Sequence, residues 1–351
     1  MNRTHPPPPP PPVVLHTVTG PLPLDRVTGP VLAHEHLVLD LDRTGEGAAV
    51  LGRRHSPAVA AELAGLREEF GLSLVVEVTC RGMGRDVPAL AEISRASGVA
   101  VTAATGWYYE RFHTPDTVGR EVAELAETLV REITDGIGDG GGTGGVRPAV
   151  IGEIGSHGET PSGPEARVLR AAARAALATG LPVATHAGLG RGGPAQLDLL
   201  AGEGLAPERI AIGHQDLLDR PATHRALAAA GAYVSFDTVG KEHYRSDATR
   251  LRLLLALLDA GHADRALLSC DISRHGYLRT EGGPGYGHLL RVFLPRLRAA
   301  GADEELLDLI TRRNPLRLLT GTDPGPRRRP HPAPDPLEGP EPLDPRTPQE
   351  P

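Results

Sequence analysis

The chain has 351 residues, with 37 lysines and arginines against 44 aspartates and glutamates, and its formal net charge is -7. This balance excludes the strongly basic surface that is typical of nucleic-acid-binding proteins. Cys80 and Cys270 are the only cysteines, which excludes a disulfide framework and favours a reducing compartment, the cytoplasm. No apolar run reaches about 18 residues and no signal-peptide core is present, so we expect neither a spanning helix nor membrane association.

Both ends of the chain are rich in proline. The head at 1–12 contains an unbroken proline run, and the tail at 322–351 combines proline with charged residues. Such segments cannot bury enough apolar surface to fold, so we predict that both are disordered. The folded body is then a single domain over 13–321.

Within this body, a short β-rich run followed by a stretch with helical periodicity recurs eight times. Strands that alternate with helices predict a parallel sheet, and eight such units predict a (β/α)₈ TIM barrel. A doubly wound sheet would need a glycine-rich turn after the first strand, where this chain has "HEHLVLD". The segment 13–30 has the pattern of a hairpin, which we expect to cover the barrel floor. The predicted strands are 30–34, 72–79, 98–106, 148–155, 181–188, 209–214, 231–238 and 265–271.

Polar residues with metal-binding side chains follow five of these strands at their C-terminal ends, where a barrel places its chemistry. Taken singly, each has an ordinary explanation: a core acid paired with arginine, a histidine bonded to a carbonyl, or an aspartate that caps a helix. Together they are too many for one zinc with an open position, and they suit two metal ions bridged by a carboxylate and a hydroxide. Zinc is favoured, with iron, manganese, nickel or cobalt as alternatives. These residues are His34, His36, Glu153, His186, His214 and Asp271.

Motifs that contain these residues resemble the phosphotriesterase family of the amidohydrolase superfamily, over roughly residues 15–320. The motifs include "LAHEHL" (32–37), "GEIG" (152–155), "IGHQDLLD" (212–219), "LLSCDISR" (267–274) and "RNPLRLL" (313–319). The best-known members carry a carboxylated lysine where this chain has Glu153. That difference is typical of the branch of phosphotriesterase homology proteins, and it argues against organophosphate hydrolysis as the main activity.

The resemblance implies a role for each ligand. His34, His36 and Asp271 would hold the more buried metal, and His186 and His214 the more exposed one, with Glu153 between the two metals. Asp271 would also accept the proton released from water. The expected activity is hydrolysis of an ester or lactone by a metal-bridging hydroxide, with a phosphorylated sugar lactone as the narrower expectation.

Two cations and an aromatic side chain follow strands seven and eight. Lys241, Arg274 and Tyr277 are predicted to bind an anionic group on the substrate, an arrangement similar to that in relatives acting on phosphorylated sugar lactones. The alternative is that the cations are solvated or pair with nearby acids such as Asp216, Asp219 or Glu242. Trp107 and Tyr108, with Tyr109, are predicted either to form an apolar wall or to pack over the barrel rim.

Three other functions compete with this prediction. A promiscuous phosphotriesterase or aryl esterase would use the same metals on neutral substrates. A deaminase would need an acid soon after His186, where "THAGLGRGG" has none. A barrel without activity would act as a binding protein, but every ligand position is filled. The expected partners are a small-molecule substrate and, by resemblance, a second copy in a homodimer, with no nucleic acid.

Overall fold

The structure is a computed structural model that describes residues 13–42, 45, 49–138 and 145–327. Its strands are β1 (Val14–Thr17), β2 (Gly20–Pro23), β3 (Val31–Glu35), β4 (Leu39–Asp40), β5 (Val50–Leu51), β6 (Leu74–Glu77), β7 (Ala100–Val101), β8 (Ala104–Thr105), β9 (Val150–Ser156), β10 (Val183–Ala187), β11 (Ile210–Ile212), β12 (Tyr233–Phe236) and β13 (Ala266–Leu268). Its α-helices are α1 (Ser56–Phe70), α2 (Val87–Ser97), α3 (Val122–Asp135), α4 (Gly163–Thr179), α5 (Gly193–Gly202), α6 (Pro221–Ala229), α7 (Asp247–Leu258), α8 (Leu294–Ala299), α9 (Glu304–Asp308) and α10 (Asn314–Thr320).

The predicted TIM barrel is confirmed, and its strands run parallel in two hydrogen-bonded groups. One group has the order β3-β6-β7, and the other runs from β8 through β13 in chain order. The third predicted strand, 98–106, is divided: β7 pairs with β6, whereas β8 pairs with β9. Among the described residues, neither β7 and β8 nor β13 and β3 form a backbone ladder. Because β7 and β8 are consecutive segments of one strand, the barrel has a single seam among the described residues, between β13 and β3, and side chains bridge it.

The helices begin and end where local signals predict. The helix predicted at 164–180 is α4, which starts after Ser162, whose hydroxyl accepts a hydrogen bond from the backbone N–H of Glu165. It stops at Gly180, whose φ of 77° suits a residue without a Cβ. The helices predicted at 57–71 and 121–133 are α1 and α3.

The barrel floor is closed by the two ends of the folded body. The predicted hairpin is confirmed as β1 and β2, an antiparallel pair. Leu15 from this hairpin and Leu316 from α10 belong to one buried cluster with the barrel residues Val31 and Leu74. Because the floor is sealed with apolar side chains, access to the barrel interior is left to the opposite, C-terminal face of the strands.

The start of the predicted tail packs on the barrel. Asp323 accepts hydrogen bonds from Arg313 and Arg317, and Arg327 donates to Asp308 at 2.8 Å. These contacts extend the described body to residue 327, beyond the boundary predicted at 321. The predicted disordered head at 1–12 and the remaining tail lie outside the described residues. None of the helices described is long and apolar enough to cross a lipid bilayer.

Asn314 provides a test of how α10 is attached. Its fully buried amide donates to the carbonyls of Ala263 and Ala266, both at 2.8 Å. Asn314→Ala removes both of these buried hydrogen bonds, so the free energy of unfolding should fall by roughly 1 to 3 kcal/mol. Urea unfolding at fixed metal content measures the loss. Thr320→Ala, which removes a hydroxyl that bonds to the carbonyl of Leu316 and to the backbone of Thr322 at the end of α10, is the control, and equal losses in both variants would contradict this account.

Candidate active site

All six residues predicted as metal ligands meet at the C-terminal end of the barrel. Glu153 on β9 lies at the centre, with four imidazoles within 3.5 Å of its carboxylate oxygens. Glu153 is only 2% exposed. A carboxylate buried this deeply is unfavourable unless positive charge surrounds it, so the geometry of the site is organised around this side chain.

The inner half-site consists of His34, His36 and Asp271. His34 Nε2 lies 3.4 Å from Glu153 Oε2, and His36 Nε2 lies 3.1 Å from Glu153 Oε1. Asp271 Oδ1 lies 3.4 Å from the same His36 nitrogen. Ligand atoms of His34, His36 and Glu153 all lie within 4.8 Å of one another, and Asp271 borders this group at His36. This is the half-site predicted to hold the more buried metal.

The outer half-site consists of His186 and His214. His186 Nδ1 and His214 Nε2 lie 2.8 Å apart, at 3.3 and 3.5 Å from Glu153 Oε2. His186 is the more exposed of the two, and it faces the cavity at the mouth of the barrel. Glu153 is thus the residue that both half-sites share.

Two observations show that these residues fit metal ions. The buried atoms His34 Nε2 and Glu153 Oε2 make no hydrogen bond, although buried polar atoms normally do. Burial alone would lower the pKa of His36, but the hydrogen bonds that His36 donates to the carboxylates of Asp271 and Glu153 outweigh burial and raise that pKa to about 10. The site therefore binds positive charge strongly, as a cation site must.

Asp237, which the sequence analysis missed, orients one imidazole in each half-site. Its Oδ1 lies 2.8 Å from His214 Nδ1, and its Oδ2 lies 3.3 Å from His34 Nδ1. These are the ring nitrogens that face away from Glu153, so Asp237 is placed to orient both imidazoles from behind. Thr79 has the same relation to His36, with Oγ1 2.8 Å from Nδ1. Both residues lie at strand ends, in "SFDT" and "VEVT", so the strand-end rule would have found them.

A cavity of about 420 Å³ opens above the half-sites. Lys241 lies on its wall but is only 3% exposed, and its ammonium contacts Asp271 and, at 3.1 Å, Ser273. The alternative pairing of Lys241 with Asp216, Asp219 or Glu242 does not occur. Lys241 therefore reaches the substrate cavity from beside a metal ligand.

Arg274 also lines the cavity and has no carboxylate partner within the described residues. Its guanidinium lies 5.0 Å from the ring centre of Tyr277, and its Nε is buried without a hydrogen bond. Tyr277 is not a lining residue: its hydroxyl lies 3.1 Å from His243 Nε2, and its ring supports Arg274 and Lys241 from behind. The predicted direct contact of Tyr277 with substrate is thus replaced by a supporting position.

Of the predicted aromatic wall, Tyr108 lines the cavity and Trp107 does not. The Tyr108 hydroxyl lies 3.1 Å from His186 Nδ1, and Tyr109 stacks on His186 with ring centres 5.6 Å apart. Trp107 is fully buried and donates its indole N–H to Thr114 at 2.9 Å. The prediction of Trp107 as a substrate contact is therefore wrong, because its side chain packs under the rim.

Comparison with known proteins agrees with this geometry. A model of the phosphotriesterase family matches residues 13–319. The chain belongs to the phosphotriesterase family. The phosphotriesterase homology protein of Escherichia coli (strain K12) is 38% identical over 292 residues, covering 83% of this chain and 98% of that protein. The crystal structure of the E. coli protein, complexed with phosphate in its active site, has a TM-score of 0.79 at 36% identity, covering 84% of this chain and 99% of that one.

Two further members of the family differ in the activities that their names describe. A mutant of a PTE-like lactonase from Deinococcus radiodurans has a TM-score of 0.77 at 31% identity, covering 87% of this chain and 99% of that one. The N-acetyltaurine hydrolase of Bos taurus is 32% identical over 280 residues, covering 76% of this chain and 78% of that one. Phosphotriesterase-family proteins typically use two metal ions, and with its ligand cluster this member is a metal-dependent hydrolase.

Asp237→Asn should weaken metal binding in both half-sites. An amide cannot accept an N–H bond from both imidazoles, and loss of such a supporting contact typically costs about 10- to 100-fold in metal affinity. Competition with a chelator, followed by metal analysis, measures the retained equivalents. Thr79→Val is the matched control, since the Thr79 hydroxyl contacts, besides Glu77, one predicted ligand, His36, and the change should affect only the inner half-site. Loss of a single equivalent from Asp237→Asn would refute the shared role.

Proposed function

We propose that this protein uses two zinc ions to hydrolyse a lactone or ester that carries an anionic group, with phosphorylated sugar lactones as the narrower class. The observation that carries the proposal is Arg274, which lies on the wall of the cavity above the two half-sites and has no carboxylate partner in the described part of the chain. An unpaired guanidinium beside a hydrolytic centre suits a phosphate or carboxylate group on the substrate.

The donor set supports two ions. The inner half-site offers His34, His36 and Asp271, the outer offers His186 and His214, and Glu153 directs an oxygen to each. Imidazole and carboxylate donors favour zinc among the common divalent ions. When bound, a pair of such ions supplies Lewis-acid activation of water and of the substrate carbonyl.

Asp271 is the proposed proton acceptor. It borders both the inner half-site and the cavity. Burial would raise the pKa of Asp271, but the charge of Lys241 and a hydrogen bond with His36 outweigh burial and hold that pKa below its usual range. The carboxylate is therefore ionised at neutral pH, as a metal ligand must be, and the proposed role as proton acceptor rests on its position between the inner half-site and the cavity.

Two relatives support the anionic substrate. The E. coli homology protein has phosphate in its active site, and the D. radiodurans protein is described as a lactonase. Lys241 adds a second positive charge on the same side of the cavity as Arg274, with the ring of Tyr277 beneath both. A phosphate on the substrate would meet Arg274 first, because Lys241 already contacts Asp271.

A second candidate activity is hydrolysis of an amide that carries a sulfonate. Relatives named N-acetyltaurine hydrolase favour it, and Arg274 would accept a sulfonate as readily as a phosphate. A third candidate, hydrolysis of neutral aryl esters, is favoured by the apolar side of the cavity at Tyr108, Phe112 and Leu217. A substrate panel of lactones, phosphorylated lactones, N-acetyltaurine and aryl esters separates the three.

Metal analysis tests the two-ion proposal. Protein purified without chelator should contain close to two equivalents of zinc per chain, because the donor atoms form two clusters about Glu153. Glu153→Gln should lower the retained metal, since a neutral amide bridges two cations poorly. A single equivalent that does not increase on reconstitution would refute the proposal of two ions.

Arg274→Ala tests the anion contact. A charge-assisted hydrogen bond contributes about 1.5 to 3 kcal/mol, so kcat/KM for a phosphorylated lactone should fall about 10- to 150-fold. For a neutral lactone it should change little, and metal content should stay the same. The matched control is Arg252→Ala, which removes an exposed arginine that pairs with Asp219 and does not line the cavity, and it should leave the preference for the charged substrate unchanged. Equal losses on charged and neutral lactones after Arg274→Ala would contradict the proposed contact.

A further inference from the structure

Glu35 lies between two metal ligands, yet its side chain points away from them. Successive side chains of a strand alternate in direction, so His34 and His36 face the metal site while Glu35 faces the seam between β3 and β13. The Glu35 carboxylate is fully buried and has no arginine or lysine partner among the described residues. A buried carboxylate without a cationic partner is unfavourable unless hydrogen-bond donors surround it.

Three donors from the end of the eighth barrel strand converge on this carboxylate. The Ser269 hydroxyl and the Cys270 backbone N–H donate to Oε1, both at 2.7 Å. The Ile272 backbone N–H donates to Oε2 at 2.8 Å. Glu35 thus accepts hydrogen bonds from the backbone N–H groups of the residues immediately before and immediately after Asp271.

Asp271, the residue between these two hydrogen bonds, has an unusual backbone conformation. Asp271 has a φ of +49°, a left-handed conformation that residues other than glycine adopt at a cost in free energy. This turn directs the Asp271 side chain back toward His36 and the inner half-site. The turn therefore needs a stabilising interaction, and the backbone N–H groups on both sides of it donate hydrogen bonds to Glu35.

We propose that Glu35 is a positioning residue that fixes the left-handed turn and so aims the Asp271 carboxylate at the metal pair. The inference rests on the proposed function of Asp271 as ligand and proton acceptor. Glu35 touches neither substrate nor metal and acts through the backbone of its neighbour across the seam. It also replaces the missing backbone ladder between β3 and β13 at the level of the active site.

Glu35→Gln is the direct test, because it keeps the size of the side chain and removes one acceptor. The amide oxygen can still accept from Cys270, but the amide nitrogen cannot accept from Ile272. We expect kcat to fall about 10- to 100-fold with KM unchanged, as for other residues that orient metal ligands. We also expect chelator to remove the inner metal more easily than in the parent protein, while the outer metal is retained.

Ser269→Ala is the matched control for a role in the seam alone. It removes the hydroxyl that donates to Glu35 and accepts from the backbone N–H of His34. The hydrogen bonds from the backbone N–H groups of Cys270 and Ile272 to Glu35 stay in place. Thermal unfolding should show a loss of stability in both variants. Only Glu35→Gln should lower kcat and inner-metal retention, and equal effects of the two variants on kcat would overturn the proposal.

A double-mutant cycle identifies the residue through which Glu35 acts. In an Asp271→Asn background, Glu35→Gln should cause little further loss of inner-metal affinity, because the turn then carries no carboxylate to aim. The same loss in both backgrounds would overturn the inference. If Glu35→Gln does not fold, Glu35→Asp, which keeps the charge but withdraws it by one methylene, is measured in the same way, and unaltered inner-metal retention would overturn the inference.

These metal readouts also separate the inference from the proposed function. If substrate screening finds no lactone or ester hydrolysis but Glu35→Gln still releases the inner metal, the substrate is wrong and the positioning role stands. If the parent protein retains no inner metal at all, the proposed function fails first.

Discussion

The buried carboxylate of Glu153 is the constraint on which the rest of the structure depends. A charge at 2% exposure inside a barrel is tolerated only among cations, and here four imidazoles, two on strands and two just after strand ends, surround it. Each imidazole must present a particular nitrogen, so a second layer of acceptors holds the rings from behind. Asp237 and Thr79 belong to that layer. The electrostatics of one acid thereby dictate the side chains at most of the surrounding strand ends.

The buried carboxylates of Asp237 and Glu35 each stabilise a left-handed turn at a predicted metal ligand. His214 and Asp271 both have left-handed backbone conformations, with φ of 55° and 49°. The peptide N–H of His214 donates to Asp237, as those flanking Asp271 donate to Glu35. Sharp turns bring these ligands back over the barrel, and buried acceptors stabilise the turns. Rigid support of this kind keeps ligand atoms in place whatever the substrate is.

The sequence predicted the barrel and the convergence of six ligands because both follow from periodicity and from the rule that strand ends carry the chemistry. It did not predict that strand three is divided, since "GVAVTAATG" reads as one continuous apolar run. It placed Trp107 on the cavity wall, because composition cannot show that an indole will turn inward to reach Thr114. A role for Glu35 was not predicted from the sequence. Alternation along a strand shows that Glu35 faces away from His34 and His36, but it does not show that Glu35 contacts the backbone near Asp271, far along the chain.

The seam between β13 and β3 has a consequence for how the protein is made. His34 and His36 lie on or just after β3, whereas Asp271 follows β13 on the other side of this seam. An ion held by these residues would join the two sides. Maturation in a metal-poor cell would then reduce the amount of closed barrel as well as its turnover, and the protein's abundance would follow the supply of metal.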